Sequence, residues 1–128
     1  MPHFILEYSA NLDDELLDLD NLFEKLHHCA SSSGIFPLGG IRSRAVRCEQ
    51  YRIADGDPSM AFVHLTAKIG HGREPAVQKT EAEKFFAILT QHLQPIFDRQ
   101  YLGISFEMTE LHPLLNFKKN NIHQKFNR

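Results

Sequence analysis

Apolar and polar positions alternate at the start of the chain, where Phe4, Leu6 and Tyr8 interleave with His3, Ile5 and Glu7. Successive side chains of a strand point to opposite faces, so this period predicts a strand over residues 2–9, buried largely on both faces because Ile5 joins the second set. The period then lengthens. Leu12, Leu16, Leu19, Leu22, Phe23, Leu26 and Ala30 recur three and four apart, which is one face of a helix. Asp13, Asp14 and Glu15 fall where the positive end of its dipole favours carboxylates, His27 and His28 fall toward the negative end, and Gly34 is placed to end it. Pro37, Gly39 and Gly40 then make a turn, and Ile41 to Ile53 reads as extended up to a second turn over Ala54–Pro58.

The second half repeats this order. Ala61, Val63, Leu65, Ala67 and Ile69 form a uniformly apolar set that alternates with Met60, Phe62, His64, Thr66 and Lys68, the clearest strand of the chain. After Gly70-His71-Gly72-Arg73, Pro75 suits the first turn of a helix whose stripe runs through Ala82, Phe85, Phe86, Leu89, Leu93, Ile96 and Phe97. Pro95 lies inside that stripe, where an interior proline costs ~3 kcal/mol, so a kink or an early end is expected near Gln94. A last strand, Gly103 to Glu110, precedes a polar tail.

Each half is long enough for a right-handed crossover between parallel strands. Faint echoes, Phe4-Ile5-Leu6 with Phe62-Val63-His64 and Gly40-Ile41 with Gly103-Ile104, accompany the repeated order. The expected fold is α+β, a doubled β-α-β unit with one mixed sheet and two helices on one face, in a single domain over residues 1–128. The other face, carrying Ile5, Phe62 and Phe106, has no third layer to cover it, which predicts self-association.

Composition narrows the function. Apolar residues are 42% and charged residues 23% of 128, as in a folded soluble protein. A net charge of -2 offers no excess to gather polyanions, so nucleic-acid binding is not expected. No apolar run approaches the roughly 20 residues that span a bilayer. The N-terminus has no basic region followed by an apolar stretch, leaving a cytoplasmic location as the default, with Cys29 and Cys48 as reduced structural thiols.

Eight histidines invite a metal, yet no HExxH or Cys/His ligand spacing occurs, and no metal is expected. Gly39-Gly40 and Gly70-His71-Gly72 lack the phosphate-loop patterns and read as turns, and Ser31-Ser32-Ser33 lacks the GxSxG elbow. Lys118-Lys119 reads as a solvated tail or one packed on a neighbouring subunit.

Two features remain. A small residue after Met1 permits its removal, which would turn Pro2 into a secondary amine; a pocket that excludes water and brings an arginine close would lower its pKa and make it a general base. The plainer alternative is that Pro2 starts an edge strand. Arg42 and Arg44, with Arg52, share one side of the extended segment and Arg47 takes the other, while Arg73 occupies the equivalent turn in the second half. Guanidinium forks at strand ends suit carboxylates, so together these groups point to a small anionic substrate.

Pro2-His3-Phe4, Gly34-Ile35-Phe36-Pro37-Leu38, Gly40-Ile41-Arg42-Ser43-Arg44, Ala54-Asp55-Gly56, Phe62-Val63-His64, Lys68-Ile69-Gly70 with Gly72-Arg73, and Glu110-Leu111-His112-Pro113 through Leu115-Asn116-Phe117-Lys118 and Asn120-Asn121 follow one another in an order that resembles the 5-carboxymethyl-2-hydroxymuconate Delta-isomerases of the tautomerase superfamily. The resemblance covers nearly the whole chain; it departs in the first helix, around Asp18-Leu19-Asp20-Asn21, and at Pro95. It implies a homotrimer without cofactor that acts on an anionic dienol in homoprotocatechuate and 4-hydroxyphenylacetate breakdown. It also implies Pro2 as base, Arg42 and Arg73 as carboxylate and oxyanion contacts, Arg44 as a weaker contact and Phe36 as an apolar wall. A tautomerase of another 2-hydroxydienoate or 2-oxo acid, and a non-catalytic trimeric carboxylate-binding module, are the alternatives.

Overall fold

The computed structural model describes residues 1–126. Four strands, β1 (His3–Ser9), β2 (Arg42–Cys48), β3 (Ala61–Ile69) and β4 (Leu102–Glu110), make one mixed sheet in the order β2-β1-β3-β4. β1 runs parallel to β2, and β3 to β4, each pair joined by a helical crossover; β1 and β3 meet antiparallel at the centre. The crossovers are α1 (Asp14–Leu17) with α2 (Leu19–Ser32), and α3 (Pro75–Phe97). The doubled β-α-β unit is thus present, with its helices on one face.

The core lies between that face and the helices. All five apolar positions of β3 are buried, as are Phe4, Leu6 and Tyr8 of β1. Phe85 of α3 sits at its centre, meeting Phe4 edge-on at 5.0 Å between ring centroids and tilting against Phe36 at 6.4 Å and Phe106 at 6.5 Å. One aromatic ring therefore ties the second helix to β1, β4 and the turn after α2.

Several expectations need correction. β1 is buried on one face only: His3 and Ile5 are half-buried and Glu7 exposed, because no layer of the described residues covers the open face of the sheet. Ile5 and Phe62 do stand on that face, but Phe106 pairs with Leu65 and packs on Phe85, on the helix side. The open face is also more polar than expected, with Arg42, Arg44, His64, Lys68 and Glu107 among its residues. β2 stops at Cys48, and Arg52 lies beyond it, donating to the Asp55 carbonyl at 2.9 Å.

The first helix is two helices. Asp13 caps α1 by accepting from the Glu15 N–H at 2.8 Å, and Asp18 breaks the helix with φ 41°, a left-handed conformation that Asp tolerates better than most residues. Breaking there turns Leu17, not Leu16, into the core. His92 Nε2 donates to the Leu17 carbonyl at 2.6 Å, and its Nδ1 accepts from Lys25 Nζ at 2.9 Å, so one imidazole fastens the end of α1 to α3 and α2.

α3 does not end near Gln94 but runs through Pro95 to Phe97. Pro95 is exposed, so the Gln91 carbonyl that loses its helical partner faces water, while Ile96, 1% exposed, holds the last turn in the core. The same phase leaves Phe86 and Phe97 exposed and buries Glu81 instead. Cys29 and Cys48 are unpaired. Among the described residues no helix is long and apolar enough to cross a membrane.

Two stability measurements check this packing. Phe85→Ala should lower the free energy of urea unfolding by about 3–5 kcal/mol, the range for removing a large ring from a core. Pro95→Ala restores an exposed helical N–H and should raise stability by about 1–3 kcal/mol; no gain would mean that the helix is not interrupted at Pro95.

Candidate functional site

The site grows from the parallel ladder. His3 pairs with Arg42, and the Arg42 N–H donates to the Pro2 carbonyl at 3.1 Å, so the first crossover returns the chain beside its own N-terminus. Pro2 is buried and starts an interior strand rather than an edge. The turn that precedes β2, a 3-10 turn over Leu38–Gly40, lies against the terminal residue: the Met1 amine donates to the Gly40 carbonyl at 2.6 Å. A Cβ at Gly40 would stand 2.5 Å from that nitrogen, so no side chain fits there while Met1 is in place.

Arg73 comes from the loop between β3 and α3. Its Nη2 donates to the Ile35 carbonyl at 3.1 Å and its Nη1 to the Gly70 carbonyl at 3.2 Å, while its Cζ stands 4.7 Å from the centre of the Phe36 ring. Two carbonyls and a ring face thus fix the guanidinium and leave it further donors. Phe36 itself is 2% exposed and leans on Phe85.

Pro2, Arg42, Arg73 and Phe36 are all placed at this end of the sheet. Arg44 stands one step away, exposed on the open face, with Nη1 3.3 Å from His3 Nδ1. Arg47 points elsewhere, paired with Glu49 at 2.9 Å and Asp14 at 3.5 Å.

The electrostatics of the amine follow. Its pKa is pushed down from 8.0 to about 6, first by burial and then by the positive charges of Lys118, Arg42 and Arg73. His3 is likewise lowered, by burial and then by Arg44, Arg42, the terminal ammonium and Lys68. Among the described residues, neither Arg42, Arg73 nor Lys118 has a carboxylate within 4.0 Å, whereas Arg47, Lys79 and Lys84 do. A half-buried amine among cations that lack counter-ions can bind a small anion and take a proton from it.

The tail holds what sequence reasoning missed. Asn120 Nδ2 donates to the Gly39 carbonyl at 3.0 Å, and a Cβ at Gly39 would stand 2.9 Å from His123. Asn120 and His123 therefore pack on the glycine turn of their own chain, while Lys118 and Lys119 stay exposed. The available signal was the pair Gly39-Gly40 itself, since adjacent glycines mark close approach by another segment. A groove of about 950 Å³ along α2, lined by Phe23, His27 and Leu38 among others, includes none of the arginines. Among the described residues no group of three or more His, Cys, Asp or Glu side chains is placed to hold a metal ion.

Comparison with known proteins shows the family. A family model described as 5-carboxymethyl-2-hydroxymuconate isomerase matches residues 2–126. A 5-carboxymethyl-2-hydroxymuconate Delta-isomerase of Escherichia coli is 44% identical, covering 98% of this chain and 99% of its own length. The crystal structure of a 5-carboxymethyl-2-hydroxymuconate isomerase from Deinococcus radiodurans R1 superposes with a TM-score of 0.92 at 40% identity, covering 99% of this chain and 95% of that one. At 14% identity and TM-score 0.68, a fused 4-OT wild-type symmetric trimer shares the fold, covering 95% of this chain and 98% of its own.

The pocket makes a measurable demand on the amine. In the form retaining Met1, acylation followed by mass against pH should titrate near 6 in the folded protein and return to about 7.7–8.0 in urea. A folded-state midpoint near 8 would remove the cationic, desolvated setting.

Proposed function

The chain belongs to the 5-carboxymethyl-2-hydroxymuconate isomerase family and is an isomerase, and we propose that it converts 5-carboxymethyl-2-hydroxymuconate to the 2-oxo-3-ene isomer with Pro2 as its base. The observation that carries this reading is the placement of Arg42 and Arg73 at the chain's N-terminus: the Arg42 N–H donates to the Pro2 carbonyl at 3.1 Å, and both guanidiniums help to lower the pKa of the Met1 amine.

Removal of Met1 exposes the Pro2 nitrogen as a secondary amine at the start of β1. As the neutral amine it takes the proton from the 2-hydroxyl and helps deliver one to C5. One O–H bond breaks and one C–H bond forms, so the isomerisation is a proton transfer along a conjugated system. Arg42 and Arg73 hold carboxylate and stabilise negative charge developing on the 2-oxygen, with the carbonyls of Ile35 and Gly70 keeping Arg73 in place beforehand. Phe36 gives the apolar wall beneath that guanidinium. Arg44 is the more distant contact. The working form is a homotrimer whose subunits cover one another's open sheet faces, and the reaction belongs to homoprotocatechuate and 4-hydroxyphenylacetate breakdown.

The test is the ultraviolet decay of the dienol with protein whose intact mass confirms loss of Met1. Pro2→Ala should slow kcat about 10²–10⁴-fold, the span of general acid-base catalysis. Arg73→Ala should lower kcat/KM by about 10²-fold or more, while Lys119→Ala stays within about 2-fold. Equal parameters for those two variants would discard the role given to Arg73; no acceleration by processed protein would discard the reaction.

A further inference from the structure

Arg44 is held differently from Arg73. The Arg73 guanidinium rests on the Ile35 and Gly70 carbonyls, whereas among the described residues the one hydrogen-bond partner of Arg44 is His3, whose Nδ1 lies 3.3 Å from Nη1. The ladders of the sheet place that contact. His3 stands opposite Arg42 on β2 and Lys68 on β3, and Arg44, two positions beyond Arg42, reaches back to it diagonally on the same face. His3 also follows Pro2 directly, so the strand that starts at the proposed base carries the anchor of Arg44.

The contact fixes the state of the ring. A guanidinium only donates, so Nδ1 accepts and the proton of a neutral imidazole is carried on Nε2. Burial and the charges of Arg44, Arg42, the terminal ammonium and Lys68 all disfavour a second proton. No carboxylate of the described residues lies within 4.0 Å of His3, Arg42, Arg44 or Lys68. A neutral acceptor suits an anion site. A carboxylate at position 3 would aim the Arg44 guanidinium as well but cancel its charge, whereas an imidazole aims it and leaves the charge for a ligand.

We infer that His3 is a positioning residue that holds Arg44 in place, through Nδ1, as a contact for a substrate carboxylate. This rests on the function proposed above, in which Arg44 is a carboxylate contact beyond Arg42 and Arg73. An exposed arginine on a long stem loses conformational freedom when it engages a ligand, and a tether formed beforehand lowers that cost. The gain lies in binding rather than in proton transfer, because His3 acts through Arg44 alone.

The experiment pairs turnover with binding. Steady-state kinetics on the dienol and calorimetry with glutarate, an unreactive dicarboxylate, are run on wild type and on the same set of variants, each with Met1 removed. His3→Leu, which removes the acceptor, should raise both KM and the glutarate Kd about 3- to 10-fold with kcat within about 2-fold. His3→Asn, whose Oδ1 can take the place of Nδ1, should recover most of that loss. In the Arg44→Ala background His3→Leu should cost nothing further, since two residues that act as one unit are not additive. Additive losses would show that His3 does not act through Arg44, and an Asn variant no better than Leu would show that the acceptor is not what counts; either result overturns the role. Absence of dienol turnover by wild type overturns the reaction instead, and the calorimetric cycle still decides for or against His3. A wild type that binds no glutarate either overturns both.

Discussion

Everything at the site depends on the space that Gly39 and Gly40 leave empty. A methyl group at Gly39 would collide with His123, and one at Gly40 would collide with the Met1 nitrogen while Met1 is in place. These contacts come from opposite ends of the chain. The parallel pairing of β1 with β2 delivers the turn to the N-terminus, because the register that sets His3 beside Arg42 fixes where residues 38–40 must pass. The sheet topology and the two glycines are therefore one constraint seen at two scales. The crossover brings the turn close, and the missing side chains let it touch.

The elements themselves were largely legible in the amino-acid sequence. β3 declares itself by strict alternation, and all five apolar positions are buried as that period demands. The doubled order of strand, helix and strand gave the sheet and its helical face. What pattern could not see was phase within the helices. Leu16 and Leu17 are equally apolar, and only the left-handed turn at Asp18 selects Leu17 for the core. Similarly, the cost of Pro95 depends on which way the Gln91 carbonyl faces, a tertiary fact. Facing water, it lets α3 continue to Phe97.

The site was legible unevenly, and the reason is distance along the chain. Arg42 and Arg73 could be picked out because turns and strand ends next to predicted elements gather ligand-binding groups, Pro2 by the chemistry of a terminal amine, and Phe36 only through the family resemblance. Their grouping at one end of the sheet matches that logic, while Arg44 extends onto the open face and toward His3. The fold of the tail was hidden by its setting. A polar, charged tail reads as solvent-exposed on composition, as Lys118 and Lys119 are, and nothing local tells that the residues after them fold back on the glycine turn. The contact is made by Asn120, whose amide finds the Gly39 carbonyl 81 positions away.

The cations about the amine also explain how one nitrogen could serve both before and after substrate arrives. With Met1 in place and the site empty, burial and then the positive charges of Lys118, Arg42 and Arg73 favour the neutral Met1 amine, whose place the Pro2 amine takes in the proposed working form. A bound polyanion reverses the sign of that influence. Carboxylates neutralise the same cations, and the negative charge left on the substrate oxygen stabilises the ammonium form. In the proposed reaction the base is thus kept free by the groups that later hold the substrate, and its affinity for a proton rises when the dienol enters. That coupling needs no moving part: it follows from placing the carboxylate-binding cations and the proton acceptor within reach of one another, as the glycine turn does.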